Sequence, residues 1–153
     1  MRRADPLLAL AVLRLTLGVM FVWVFFENLG KDLYTPGGYA SLIHYYIEKG
    51  TAPVAWKAVM GFMAAHAAVA APAQAVTELG FGILLVVGFA TRLVALAACG
   101  FLTSLWVSEW GTAWIWELLV PMVVAACLAL GGAGRRLGLD AALARHYPAV
   151  PLW

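Results

Sequence analysis

Four apolar runs dominate the chain, over residues 7–29, 73–89, 93–107 and 113–130. Each approaches or exceeds the length that carries a helix, rising 1.5 Å per residue, across the ~30 Å hydrocarbon core of a bilayer. In hydrocarbon every backbone N–H and C=O must find its partner inside the segment, so these runs predict α-helices. Ala90, Thr91 and Arg92 make a tight turn between the second and third runs, and Gly111 punctuates the next. Between the first two runs, Leu42, Ile43, Tyr46 and Ile47 recur at helical spacing, with Ser41, His44, Glu48 and Lys49 on other faces. This predicts a helix over 39–49, stopped by Gly50 and lying over the mouth of the bundle. A second outer helix is expected to open at Pro53 and end before Pro72. Residues 54–71 are apolar enough to imitate a span, but they are alanine-rich and carry Lys57 and His66. The segment is therefore not expected to be a fifth crossing. Beyond Leu130 the glycines 131, 132 and 134 change the character of the chain, and a short amphipathic tail follows over 139–147, expected to lie near anionic headgroups.

Composition makes the same case from a different direction. Of 153 residues, 64% are hydrophobic and 12% charged, against about 45–50% and about 25% in soluble domains. The expected architecture is one all-α membrane domain: a four-transmembrane-helix bundle with an extracytoplasmic helical loop and a short cytoplasmic amphipathic tail. There is no room for a separate soluble catalytic domain. The net charge of +2 gives no reason to expect nucleic acid as a partner. With four crossings, Arg2, Arg3, Arg92, Arg135, Arg136 and Arg145 share one side, and Lys31, Lys49 and Lys57 the other. Basic residues near span ends stay in the cytoplasm, so both termini are expected inside, in a bacterial or archaeal cytoplasmic membrane. Arg2 and Arg3 ahead of an apolar run imitate a signal peptide, but Arg14 interrupts the run and no small-x-small cleavage site follows, so the segment is expected to remain as a helix.

Several charges fall inside the runs. A charged side chain at the bilayer centre costs ~2.5 kcal/mol or more, so one that persists is expected to face the bundle interior and have a partner. Arg14 lies in the first run on a face with Gly18, Phe21, Phe25 and Asn28, and Gly18 would admit a neighbouring helix. Glu27, Glu78, Glu109 and Glu117 fall at the outward ends of the four spans, one per helix. Glu78 and Arg92 lie at opposite ends of their helix, about 21 Å apart at 1.5 Å per residue, so neither can pair with the other. Around the carboxylates cluster Trp23, Trp106, Trp110, Trp114 and Trp116, with Tyr34, Tyr39, Tyr45 and Tyr46 in the loop. These rings read either as a belt at headgroup level or, for Trp23, Trp106, Trp110 and Trp114, as an aromatic wall for a flat ligand. His44, His66 and His146 lack metal-ligand spacing, Cys99 and Cys127 form no CxxC pair, and no GxGxxG or phosphate loop is present. No metal is expected.

Three segments carry a family resemblance that covers nearly the whole chain. They are 14–18 (RLTLG) with Gly30 and Lys31, 78–92 (ELGFGILLVVGFATR), and Glu117 leading into 132–140 (GAGRRLGLD). On these the chain resembles the DoxX/DoxD family of small four-helix bacterial membrane proteins, which includes the small subunit of thiosulfate:quinone oxidoreductase. The matching positions are Arg14, Glu78, Arg92, Glu117 and Asp140, and the long loop with Gly37, Gly38 and Tyr39 looks more like the DoxD branch. The resemblance implies a membrane subunit of a quinone-linked oxidoreductase, one that holds a quinone or anchors a second redox subunit. Nothing in the residues identifies thiosulfate, and an oxyanion would want more outward-facing basic residues than Lys31, Lys49 and Lys57. Two further readings stand beside it. One is a small solute carrier or channel whose outer carboxylates form the mouth of a path. The other is a non-catalytic bundle in which Arg14, Glu78, Arg92 and Glu117 form interhelical ion pairs. Gly80, Gly82, Gly88 and Gly100 offer surfaces for self-association.

Overall fold

The computed structural model describes residues 5–149, all of whose regular structure is helical. Arg2 and Arg3, two of the arginines expected on the cytoplasmic side, lie outside the described residues. Helix α1 spans Pro6–Gly30 and starts where local chemistry dictates. The Asp5 side chain accepts from Leu7 N at 3.1 Å and Leu8 N at 3.4 Å, and Pro6 occupies the first helical position, where it has no N–H to waste. The same device opens α2 (Pro36–Lys49), where Thr35 accepts from Gly38 N ahead of Pro36. Then follow α3 (Val54–Ala65), α4 (Ala67–Val87), α5 (Thr91–Ser108), α6 (Trp116–Gly131), a 3₁₀ turn (Ala133–Arg135) and α7 (Leu139–His146).

Helices α1, α4 and α5 are long and apolar enough to cross a membrane, while α3 and α6 are shorter apolar helices. Helix α1 packs along α4, and α5 along α6. The α1–α4 crossing is set by two glycines. A Cβ on Gly82 would stand 2.7 Å from Val22 Cγ2 and 3.0 Å from Val22 N, and one on Gly18 would stand 2.9 Å from Val86 N. Only Gly at both positions lets the backbones approach this closely. The core beneath holds Leu17, Phe21, Leu85, Ala98, Leu102, Ala125 and Leu128, with Phe81 and Phe101 rings 5.5 and 6.4 Å from that of Phe21. Outward, Val12, Val19, Phe26, Val76, Ile83, Leu96, Val120, Val123 and Leu130 are exposed. An apolar exterior on this scale is what lipid solvates and water does not.

Element boundaries differ from the pattern in three places. The outer helix expected to stop before Pro72 stops at Ala65, with His66 as the break, and α4 runs through Pro72. Pro72 is the sixth residue of α4, past the first turn, so the helix passes through it without the hydrogen bond its missing N–H would have made. The second run therefore extends from Ala67 to Val87 instead of 73–89. The fourth begins at Trp116 and not at 113, because Gly111 (φ +89°) and the turns around it consume the preceding residues. Helix α2 begins at Pro36, a turn ahead of the expected 39.

The end of the bundle where α4 turns into α5 is closed by a clasp. Arg14, fully buried, donates through Nη1 to Leu85 O and to Val86 O (3.0 Å), and through Nη2 to Leu137 O (2.6 Å). Leu85 and Val86 are in the last turn of α4, whose carbonyls have no partner within the helix and carry the negative end of its dipole. Asp140 performs the converse task. Its carboxylate accepts from Ala90 N (2.7 Å) and Thr91 N (2.8 Å) at the start of α5, and its own N–H donates to Gly88 O (2.9 Å). Gly88 (φ +69°) makes the turn, and a Cβ there would stand 2.6 Å from the Arg14 guanidinium, while a Cβ on Gly134 would overlap the Asp140 carboxylate. The segments 78–92 and 132–140 thus meet as two halves of one lock.

Candidate functional site: an acidic cavity

At the opposite end the helices splay, and α2 and α3 lie across the gap. They are tied there by few but specific bonds. Lys57 Nζ donates to Ile47 O (2.7 Å) and Gly50 O (2.8 Å), so α3 closes the C-terminus of α2. Trp56 Nε1 donates to Ser108 Oγ (2.9 Å), and Thr51 N donates to Trp110 O (2.7 Å), which fastens the pair to the top of α5. Beneath them is a cavity of about 950 Å³ lined from α1 to α6. That volume is within the ~300–1,000 Å³ typical of small-molecule sites. Its deeper walls are Phe21, Phe101, Leu102, Leu118 and Pro121, and its outer wall includes Tyr39, Tyr46, Trp56, Met60 and Met63.

Two polar groups interrupt the apolar wall. On the α1–α4 side Glu78, only 1% exposed, accepts from Gln74 Nε2 (2.8 Å), Asn28 Nδ2 (3.1 Å) and the Tyr34 hydroxyl. Tyr34 is itself held by stacking on Phe25 at 5.3 Å. Burial, and then donation to Glu78, push the Tyr34 phenol well above its ordinary pKa. On the α5 side Glu109 accepts from Tyr46 Oη at 3.2 Å, with Glu117 close enough for repulsion between the two carboxylates. Burial and the Glu117 charge push the Glu109 carboxyl up against the opposing effect of the Tyr46 hydrogen bond. A carboxyl raised in this way can carry a proton where an ordinary glutamate is ionised. Glu27 and Lys31 lie at the rim as an exposed pair, 2.6 Å apart. Lys31 is the one lysine or arginine among the described residues that line the cavity, and Glu27 engages it.

Four of the sequence candidates, Glu27, Glu78, Glu109 and Glu117, therefore line one cavity. Arg14 and Arg92 do not: Arg14 belongs to the clasp, and Arg92 Nε donates to Ala129 O (3.2 Å) on α6. Arg14 and Glu78 are not paired with each other, since neutral donors fill the Glu78 carboxylate and carbonyls take the Arg14 guanidinium. The aromatic wall of Trp23, Trp106, Trp110 and Trp114 is not on the cavity either. Trp23 and Trp114 are 72% and 71% exposed, and Trp106 stacks on Trp110 at 5.1 Å outside the lining. Exposed rings at the end of the spans are what the headgroup level accommodates. The cavity's own aromatics are Phe21, Phe101, Tyr39, Tyr46 and Trp56. Gln74 and Ser108 are site residues that the sequence pattern does not single out. Gln74 does carry a signal, one helical turn before Glu78 on the same face. Ser108 carries none, since its role depends on α3 folding back. Among the described residues no group of three or more His, Cys, Asp and Glu is placed to hold a metal ion.

The DoxX family model matches residues 9–109, well over half of the chain, from the first turns of α1 to Glu109. No curated protein and no solved structure gives a match to the chain.

Proposed function

The chain belongs to the DoxX family, and on that premise we propose that this membrane protein is a four-span subunit of a quinone-linked oxidoreductase, with its cavity as the quinone site. The observation that carries this reading is the cavity's composition: apolar and aromatic walls interrupted by Glu78, which accepts from Tyr34 behind the lining, and by Glu109, which accepts from Tyr46 on it. A quinone ring needs a flat apolar slot and hydrogen-bonding groups for its oxygens, and these residues fit it. A bound quinone would supply two-electron, two-proton chemistry. The protein's part is to hold the ring away from water, to offer hydrogen bonds at its edges, and to keep a proton on Glu109 at the cavity mouth.

In this proposal α6 and the turns preceding it make the fourth crossing, both termini are cytoplasmic, and α2 and α3 cover the outer face. The basic residues Arg92, Arg135, Arg136 and Arg145 at the clasp end support that orientation. The thiosulfate activity that the resemblance implies would belong to a partner subunit, because four carboxylates around one engaged lysine repel a dianion.

Extraction of the full chain purified in mild detergent tests the reading. A quinone should copurify, and Glu78→Gln should lower both its retention and quinone reduction by the native complex. Purification with phospholipid alone, together with unchanged reduction by Glu78→Gln, would overturn it. The same acidic lining favours a second reading, a path for protons or a cationic solute. Uptake by liposomes holding this chain alone would establish that instead.

A further inference from the structure

A second, smaller cleft of about 370 Å³ lies at the clasp end, lined by Arg135, Ala141, Ala144, Arg145 and Pro148. Arg135 ends the 3₁₀ turn, while Ala141, Ala144 and Arg145 share one face of α7. Two arginines thus share the lining with small apolar side chains. Among the described residues no acid lines it. Asp140 is buried on Ala90 N and Thr91 N, and Asp5 both caps α1 and pairs with Arg136 at 3.3 Å. The Asp5–Arg136 pair also fixes the level of the cleft. Asp5 precedes the first turn of α1 and Arg136 follows the end of α6, so the cleft sits where the apolar helices stop. Exposed Leu130, Leu137, Leu139 and Tyr147 belong to the same end of the molecule.

A pair of arginines at the end of apolar helices, beside exposed apolar side chains, suits a phosphate that is attached to acyl chains. We infer that this cleft binds the headgroup of an anionic phospholipid, the phosphate held by Arg135 and Arg145 and the chains descending past Leu130. Arginine is well matched to the task, because its planar fork presents paired donors to phosphate oxygens. Inorganic phosphate would use the arginines and leave the apolar surroundings unused. The inference rests on the chain being a membrane protein and is independent of what occupies the acidic cavity.

Native mass spectrometry of the full chain in detergent, titrated separately with phosphatidylglycerol, phosphatidylcholine and inorganic phosphate, decides it. Phosphatidylglycerol should bind at least about tenfold more tightly than phosphatidylcholine. The Arg135→Ala/Arg145→Ala variant should weaken it by about thirtyfold, some fivefold for each basic residue near a charged lipid surface. Lys31→Ala at the other end should leave it unchanged. Should the alanine pair fail to fold, Arg135→Lys/Arg145→Lys, which keeps the charge but not the paired donors, should bind more weakly than the native chain. Native binding should also fall as salt rises. Equal binding of the two lipids, undiminished affinity in the variants, salt-independent binding, or displacement of the lipid by millimolar phosphate would each overturn the inference.

Discussion

At the clasp end the buried charges face backbone, Arg14 the last carbonyls of α4 and Asp140 the first amides of α5, whereas at the cavity end the carboxylates face side chains and open volume. Both sets are charges inside an apolar sequence, and sequence spacing alone does not tell them apart. Their partners do. A charge held by helix-end groups that would otherwise be orphaned stabilises the fold, and neither Arg14 nor Asp140 lines the cavity. Glu78, ringed by neutral donors, and Glu109, pushed up by burial and by Glu117, retain chemistry that a ligand can use. The interhelical ion-pair reading is thus weakest at the cavity, where Glu78 is held by Asn28, Tyr34 and Gln74.

If the ends divide in this way, substitutions at them should separate stability from ligand binding. The largest effect is expected from Asp140→Ala, which leaves two buried N–H groups without an acceptor and removes the negative charge near Arg14. Loss of one partner from such a buried charged arrangement costs about 3–5 kcal/mol. Unfolding of the purified chain in denaturing detergent should show it, while the folded fraction keeps its cavity ligand. Next comes Gly82→Leu, whose side chain would enter the space of Val22 and force α1 and α4 apart. Overpacking of this kind costs about 1–3 kcal/mol, and because the crossing lies between the two ends, both stability and ligand retention should fall.

Glu78→Gln sharpens the contrast from the other direction. Its Oε1 can still accept from Asn28 and Tyr34, and a flipped Gln74 amide can present its oxygen to the new Nε2, so stability should change by less than about 1 kcal/mol. Ligand copurification should nevertheless drop. An unfolding penalty as large as that of Asp140→Ala would erase the distinction between the ends.

The smallest expected effect is a change in pH dependence. Because the Glu109 carboxyl is raised in the folded protein, the fold binds that proton more tightly than the unfolded chain does. The corresponding stability is complete below the ordinary glutamate value of about 4.3 and is lost as pH rises through the raised one. Thermal melts of the native chain should therefore soften from about pH 4 upward more than those of Glu109→Gln, which keeps an acceptor for Tyr46. Identical pH profiles would show that Glu109 is not held in the environment described.

Much of this architecture is legible in the sequence. The apolar runs, the glycine approach at Gly18 and the gathering of Glu27, Glu78, Glu109 and Glu117 at one end follow from helical spacing and from counting crossings, while the tight turn expected at 90–92 falls at 88–90, with Thr91 and Arg92 already in α5. Both register and depth are local properties of a helix, and a sequence carries them directly. Proline misleads at position 72, because it reads as a stop although α4 continues through it. The tryptophans leave two readings open for a different reason: depth places a ring at a level of the bilayer without choosing between lipid and interior. That choice, the pairing of Arg14 with backbone rather than with Glu78, and the meeting of 78–92 with 132–140 in a single clasp are contacts between elements far apart in the chain. They depend on how the helices rotate about their own axes and on which carbonyls and amides are left without partners when they pack. A pattern of residue types determines the face a side chain occupies, and only the packed helices decide what that face meets.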